Sequence, residues 1–430
     1  MQDRPQVKAA SPSQHERRIP KDPAFDGTFA VLRDGYRFIL NRCRKLNSDL
    51  FETRLLLRRA VCIHGEEAAK IFYDGERFTR VGAIPPTQAK LLQDYGSVQG
   101  LDGEHHRHRK RMFTELLAPD EVARLTASVA EEWIAKLPVW ERQDRVVLFD
   151  ELQEILCRGV CDWAGISMSE RDVRKRTLEL GEMIEASGSL GPRNWRAQWL
   201  RSRCERWARG LIEGARSGAI SFESGSPVNI IAQHREPDGS LLTADVAAVE
   251  LINLLRPTVA IARFIMFAAV ALHEHPDYQQ RIRGGDRAFA RAFAQEVRRV
   301  YPFFPFIAGR ARLPFKWNGH AFAKNDWVLL DIYGTNRDPR SYAEAETFRP
   351  ERFLDAPPGI FAFVPQGAGD ATLTHRCPGE DATVAIMVMA LTLLTKQMAY
   401  RVPEQDLSFD LASIPALPKS RFVIDEVRSL

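Results

Sequence analysis

From about residue 103 to residue 300, almost every segment repeats its apolar side chains at three- and four-residue spacing. "APDEVARLTASVAEEWIAKL", "FDELQEILCRGVCDWAG", "SERDVRKRTLELGEMIEA" and "NWRAQWLRSRCERWARGLIEGARSG" each lay an apolar stripe along a helix. Several begin near a Ser, Thr or Asp suited to capping the first turn. So long a run of helices has to pack helix on helix, which leaves any sheet at the margin. The most apolar segment, "LINLLRPTVAIARFIMFAAVALHEH", is interrupted by Asn253, Arg256, Pro257 and Arg263. That makes it a poor membrane span and a good buried helix.

Outside this run the periodicity changes. "FAVLRDGYRFILNRCRKL" is helical, "LFETRLLLRRAVCIHG" reads as a β-hairpin, and "ARLPFKWNGHAFAKNDWVLLDIYG" alternates like strand. A proline-rich irregular stretch follows, and the chain later enters a last long helix. The expectation is a mainly α fold: a loosely packed lead-in over residues 1–25, then one large helical domain with a minor β-sheet region over 26–430. The N-terminus is polar and charged with no signal-like apolar core, which points to a cytoplasmic protein without a membrane anchor. A net charge of +4 on 430 residues, with arginines spread along the chain, offers no basic stripe for nucleic acid. Six cysteines are too few and too scattered for a disulfide framework. Cys157 and Cys161 share a helix face but lack two further metal ligands nearby, so they read as structural.

Cys377 is different. It lies in "FVPQGAGDATLTHRCPGE", behind a glycine-rich loop and directly before the helix "DATVAIMVMALTLLTKQM". The positive end of that helix favours a thiolate and is expected to lower the thiol pKa. Pro378 suits a helix start, and Gly379 leaves room for a flat ligand. These features fit a ligand to a metal; they also fit an ordinary buried cysteine. Two other pieces stand upstream. "AQEVRRVYP" carries Glu296 and Arg299 one helical turn apart, and "FRPERF" carries Arg352 some fifty residues later.

The order Glu-x-x-Arg, Pro-Glu-Arg-Phe, then Phe…Gly…Arg-Cys-Pro-Gly resembles the cytochrome P-450 superfamily of heme-thiolate enzymes, over most of the chain. The resemblance implies the cytochrome P-450 fold and heme b, its iron bound axially by Cys377. It also implies that Glu296 and Arg299 pair with Arg352 behind the heme. The long loop "PQGAGDATLTHRCPGE" resembles one branch, the fatty-acid peroxygenases that use hydrogen peroxide, and their decarboxylating relatives. Members of the superfamily that activate dioxygen carry an acid beside a threonine in the middle helix. This chain has Arg256 and Pro257 before Thr258. Arg256 is a permanent cation in an apolar helix and needs an anion. That anion is either a fixed acid of the protein or the carboxylate of a substrate, which a guanidinium binds in bidentate fashion. With the resemblance, the second is expected.

"SVQGLDGEHHRHRKRMF" is open to three readings: a metal cluster, a solvated basic face, or donors to heme propionates. The resemblance favours propionates, with His106, Arg109 and Lys110 as candidates and Arg310 as a further one. It also places Gln99 on the distal side of the heme, where hydroxylases carry glutamine and the best known decarboxylating relative carries histidine. Phe303, Phe306 and Ile184 would line the substrate pocket; without the resemblance they read equally as core. The implied activity is α- or β-hydroxylation of a long-chain fatty acid by hydrogen peroxide, with no redox partner. Arg256, Pro257 and Gln99 are the catalytic candidates. The rivals are a decarboxylase giving terminal alkenes, a reductase-driven monooxygenase, and a non-catalytic heme- or lipid-binding protein.

Overall fold

The computed structural model of the chain describes residues 18–430. The expected lead-in therefore lies outside the described residues up to position 17. Its last part belongs to the folded body instead. Ile19 is buried. The Asp22 N–H donates to the Glu52 carbonyl at 2.8 Å, and the Glu52 N–H to the Pro20 carbonyl at 2.7 Å.

The helix Ala244–Glu274 packs against Leu148–Trp163, Glu170–Glu185, Pro192–Ser217 and Glu380–Thr392. Thr243 starts it by accepting a hydrogen bond from the Val246 N–H. Every residue from Ala247 to Leu272 is buried except Pro257. Its apolar side chains therefore surround the axis rather than forming a stripe, as a central helix requires. Among the described residues it is the one helix long and apolar enough to cross a membrane, yet 94% of that window is buried in protein. Pro257 sits inside it without ending it. Trp133, Trp140, Phe149, Leu152 and Leu156 from flanking helices fill the same core, along with Cys157, Cys161 and Cys204. Each large apolar side chain so buried contributes about 1.5–3 kcal/mol.

A five-stranded sheet stands beside the helices, in the order Leu50–Leu55, Arg58–Ile63, Trp327–Asp331, Phe306–Ala311, Phe78–Thr79. Its first two strands are the expected hairpin, in register from Leu50 opposite Ile63 to Leu55 opposite Arg58.

Behind the helices, Glu296 is fully buried and takes two arginines. Arg299 Nε and Nη2 each lie 2.7 Å from its carboxylate, and Arg352 Nε lies at 3.2 Å. Arg299 also donates to the carbonyls of Asn336 and Ala345, and Arg352 to that of Ala343. One carboxylate thereby ties the irregular stretch 336–352 to the helix Arg287–Val300. That stretch in turn anchors the cysteine loop, because Asn336 Oδ1 accepts from the Val364 N–H at 2.8 Å.

Candidate active site

The loop before Cys377 is held by short-range bonds. The Cys377 N–H donates to the Gln366 carbonyl at 2.9 Å. The Gln366 side-chain amide lies 3.1 Å from Thr383 Oγ1 and 3.7 Å from Cys377 Sγ. Gly367 has φ +104°, and a Cβ there would meet Tyr73 Oη at 2.8 Å and Arg376 Cα at 2.9 Å, so the turn requires glycine. Glu380, in the first turn of the following helix, accepts from Arg376 Nε at 2.6 Å and Arg298 Nη2 at 2.5 Å. A Cβ on Gly379 would lie 3.7 Å from Leu117 Cδ1 and 3.8 Å from Cys377 Sγ, so the glycine leaves open the space that a methyl would take beside the sulfur.

The thiol pKa departs from expectation. Burial pushes Cys377 above its ordinary value, although the Gly379 N–H, Lys110 and Arg298 all act in the opposite direction. Desolvation exceeds the helix-end effect, so a cation bound at the sulfur would have to displace the proton.

A cavity of about 220 Å³ adjoins the loop, lined among others by Tyr73, Arg80, Asp102, His106 and His375. The imidazoles of His106 and His375 lie tilted at 34° to one another, their centroids 4.0 Å apart. Burial pushes His106 down to about 3 and His375 down to about 4, so both are neutral near pH 7. Lys110 Nζ donates to the carbonyls of Thr374 and, at 2.7 Å, Arg376. Its burial lowers it to about 8. Arg80 lies 3.9 Å above the Phe72 ring and is pushed down to about 10 by burial. The cavity wall holds two carboxylates, Glu76 and Asp102, against three arginines, Arg80, Arg107 and Arg312, and the two histidines. The residues fit an iron porphyrin with two propionates: a thiol in the adjoining loop, and a wall in which cationic side chains outnumber carboxylates.

Of the four expected propionate donors, His106 lines the cavity and Lys110 is bonded to carbonyls of the adjoining loop, while Arg109 and Arg310 stand elsewhere. Arg109 is buried between two acids, 3.0 Å from Glu250 Oε1 and in contact with Glu236 Oε1, so its charge is already matched. Arg310 is not among the cavity residues; its guanidinium donates to the carbonyls of Gly82 and Asn325. Arg80 and His375, which line the cavity, were not among the residues singled out from the sequence. His375 stands two residues before Cys377 in the quoted loop. Arg80 carries no signal in the sequence beyond its charge.

The opposite face of the site is built on the central helix. Arg256 is buried, and its Nη2 donates to the Leu92 carbonyl at 2.6 Å. Its Nε is buried with no partner. No carboxylate lies within ion-pair distance of it among the described residues. Glu250, the acid nearest in the helix, is committed to Arg109 and to the Val98 N–H at 2.7 Å. Burial, and then the nearby Arg201 charge, push Arg256 down to about 9, while Cys377 acts the other way. Gln99 stands beside this helix, its Oε1 3.4 Å from Asn253 Nδ2. Thr258 Oγ1 donates to the Leu254 carbonyl, one helical turn back.

The expected pocket aromatics divide. Phe303 stacks on Phe264 of the central helix at 4.7 Å, and its carbonyl accepts from Tyr36 Oη at 2.8 Å. Phe306 opens a strand opposite Asp331 and packs against the hairpin side of the sheet, around Phe38 and Phe51. Ile184 is buried near the end of Glu170–Glu185.

Comparison with known proteins places this geometry. A family model described as cytochrome P450 matches residues 258–406. A solved variant of cytochrome P450SP alpha (CYP152B1) is 46% identical, with a TM-score of 0.91, covering 94% of this chain and 99% of that one. Cytochrome P450EX alpha (CYP152N1) with myristic acid is 40% identical at a TM-score of 0.93, covering 96% and 100%. A variant of cytochrome P450 OleT in complex with arachidonic acid is 32% identical at 0.93, covering 96% and 99%. Among curated sequences, cytochrome P450 138 of Mycobacterium bovis is 24% identical over 416 residues, 91% of each chain.

Proposed function

We propose that this chain, which belongs to the cytochrome P450 family, is a heme-thiolate peroxygenase that hydroxylates long-chain fatty acids with hydrogen peroxide. The cofactor proposed is heme b, with Cys377 as the axial ligand and His106, Lys110, Arg80 and His375 at its propionates. The α or β carbon is the proposed position of attack. The observation that carries the reading is Arg256, a buried guanidinium with one nitrogen on a carbonyl, one without a partner, and no counter-ion among the described residues. A substrate carboxylate supplies the missing charge. Two relatives with solved structures hold myristic and arachidonic acid, which are carboxylates on long apolar chains.

The residues divide the work. Heme iron on Cys377 would supply the centre at which the O–O bond of peroxide is cleaved. Arg256 holds the substrate carboxylate ionised and fixed, with the alkyl chain in apolar surroundings. That carboxylate can take a proton from one peroxide oxygen and return it to the other, which leaves as water. The protein itself then needs no acid in the helix. Thr258 has its hydroxyl on the Leu254 carbonyl, and Arg256 and Pro257 precede it, so a dioxygen-activating acid–threonine pair has no counterpart here. Gln99, bonded to Asn253, shapes the distal side without titrating. This favours return of hydroxyl to the substrate over loss of carbon dioxide.

A decoy experiment tests the reading. An apolar substrate without a carboxylate should be oxidised slowly by peroxide alone and quickly when a short carboxylic acid is added to fill the place beside Arg256. Equal rates with and without the acid would refute the role given to Arg256.

A further inference from the structure

A seven-residue helix, Pro86–Leu92, packs against Glu170–Glu185 and Pro192–Ser217 and ends on the central helix. So short a helix is marginal by itself in water, so tertiary bonds decide where it lies. Toward the site it presents backbone. The Leu92 carbonyl accepts from Arg256 Nη2 at 2.6 Å, and the next carbonyl, that of Gln93, accepts from Asn253 Nδ2 at 3.0 Å. The direction of the Arg256 guanidinium therefore depends on where the end of this helix stands.

A second set of bonds runs from the same helix to Pro192–Ser217. Lys90 Nζ lies 2.6 Å from Asp94 Oδ2 and 2.8 Å from Glu205 Oε2. Arg201, one turn before Glu205, has Nε 2.7 Å from Glu205 Oε1 and Nη2 3.9 Å from Asp94 Oδ2. Asp94 also fixes the chain beyond the helix. Its Oδ1 accepts from the Tyr95 N–H at 2.7 Å, and its carbonyl accepts from the Ser97 hydroxyl at 2.9 Å. The Val98 N–H then reaches Glu250, and Gln99 reaches Asn253. Residues 90–99 thus form one strap, hydrogen-bonded to the central helix and ion-paired to Pro192–Ser217. Among the described residues the cluster joins two cations to two acids, so its charge is closed and, unlike Arg256, it calls for no ligand. It is also largely withdrawn from water: Arg201 is fully buried and Asp94 is 5% exposed.

We propose that Lys90, Asp94 and Glu205 are positioning residues for the carboxylate site: they hold the strap, and with it the Leu92 carbonyl, so that Arg256 meets the substrate head group in one orientation. The proposal rests on Arg256 as the carboxylate receptor and adds which side chains outside the pocket set its aim. A charged receptor places its ligand only as well as the groups behind it are fixed. A buried ionic cluster adds little stability over apolar packing, so geometry is what this one contributes. A loosened strap leaves the charge of Arg256 intact but lets the head group move. The carbon presented for attack then varies, and the ratio of α- to β-hydroxy product reads that variation directly.

Three heme-loaded variants test this: Lys90→Met, Asp94→Asn and the conservative Lys90→Arg. Asp94→Asn keeps the size of the side chain and leaves Lys90 on Glu205, so it serves where Lys90→Met fails to fold. Lys90→Met and Asp94→Asn should speed amide hydrogen exchange over residues 88–94 and change the α to β product ratio. Both should lower kcat/KM for a saturated long-chain acid with peroxide by roughly 10- to 100-fold. Lys90→Arg keeps charge and reach and should restore the wild-type ratio. The carbon-monoxide spectrum and the thermal midpoint should stay near those of the wild type. Faster exchange with an unchanged product ratio and kcat/KM would overturn the proposal, because the cluster would then be structural alone. Unchanged exchange in both variants would overturn it too, as would a Lys90→Arg variant that behaves like Lys90→Met. Failure of the catalytic reading shows separately, in the wild type: no fatty-acid turnover there refutes the role of Arg256 and this proposal with it, before any variant is compared.

Discussion

Replacing Arg256 by methionine should stabilise the ligand-free protein and abolish fatty-acid binding. The guanidinium is buried, and that burial brings it well below its ordinary value, to about 9. At about 1.4 kcal/mol per tenfold change in proton affinity, folding with the charge in place carries a penalty on the order of several kcal/mol. The hydrogen bond to the Leu92 carbonyl offsets roughly 1.5–3 kcal/mol of it. An apolar side chain of similar length removes both terms, so a net gain on the order of 2–3 kcal/mol is expected. The sign with pH follows from the direction of the shift. Folding disfavours the charged form, so the wild-type penalty is full below about 9 and fades as pH rises above it. The advantage of the methionine variant should therefore shrink in alkali. Binding moves oppositely: loss of one partner from a buried ion pair costs about 2–5 kcal/mol, roughly 30- to several-thousand-fold in affinity. Scanning calorimetry of the ligand-free holoenzyme and titration with a long-chain acid, read from the Soret band, measure the two effects. A methionine variant that is less stable yet binds the acid normally would refute the reasoning, because Arg256 would then be a structural cation.

Cys377→Ala should remove the thiolate-type carbon-monoxide spectrum and all peroxide-driven turnover; an unchanged spectrum would mean another ligand holds the iron. Glu296→Gln leaves two buried arginines short of their counter-ion, and chemical denaturation should show a loss of about 3–5 kcal/mol, with heme retention falling in parallel. Gln99→His introduces a group that titrates near neutral pH beside the distal face, and product analysis with one saturated acid should show a higher alkene fraction than in the wild type.

The long-range ion pairs show where reading the sequence reaches and where it stops. Glu296, Arg299 and Arg352 were legible because two of them sit one helical turn apart and the third lies in a recognisable motif; the structure joins all three on one carboxylate. The central helix was legible because interruptions by Arg256 and Pro257 ruled out a span. The hairpin was legible from its alternation, but not the left-handed Leu56 and Leu57 at its tip, since Leu-Leu carries no turn signal. Arg109 was misplaced because its partners, Glu236 and Glu250, lie 127 and 141 residues away, and nothing local announces a buried pair. Arg310 was singled out and Arg80 was not, for a related reason. Both flank the same strand pairing, Thr79 opposite Arg310, and only the packed sheet decides which guanidinium turns toward the cysteine loop. The thiol of Cys377 lies above its ordinary value because desolvation outweighs the helix start, and a sequence shows only the second.

Turnover of the purified, heme-loaded wild type with a saturated long-chain fatty acid tests the central claim most directly. One arm receives hydrogen peroxide alone, the other NADPH with a surrogate reductase and no peroxide. The account predicts α- or β-hydroxy acid in the first arm and only trace product in the second, with catalase abolishing that trace. Hydroxy acid formed at full rate in the second arm despite catalase, with none in the first, would contradict it.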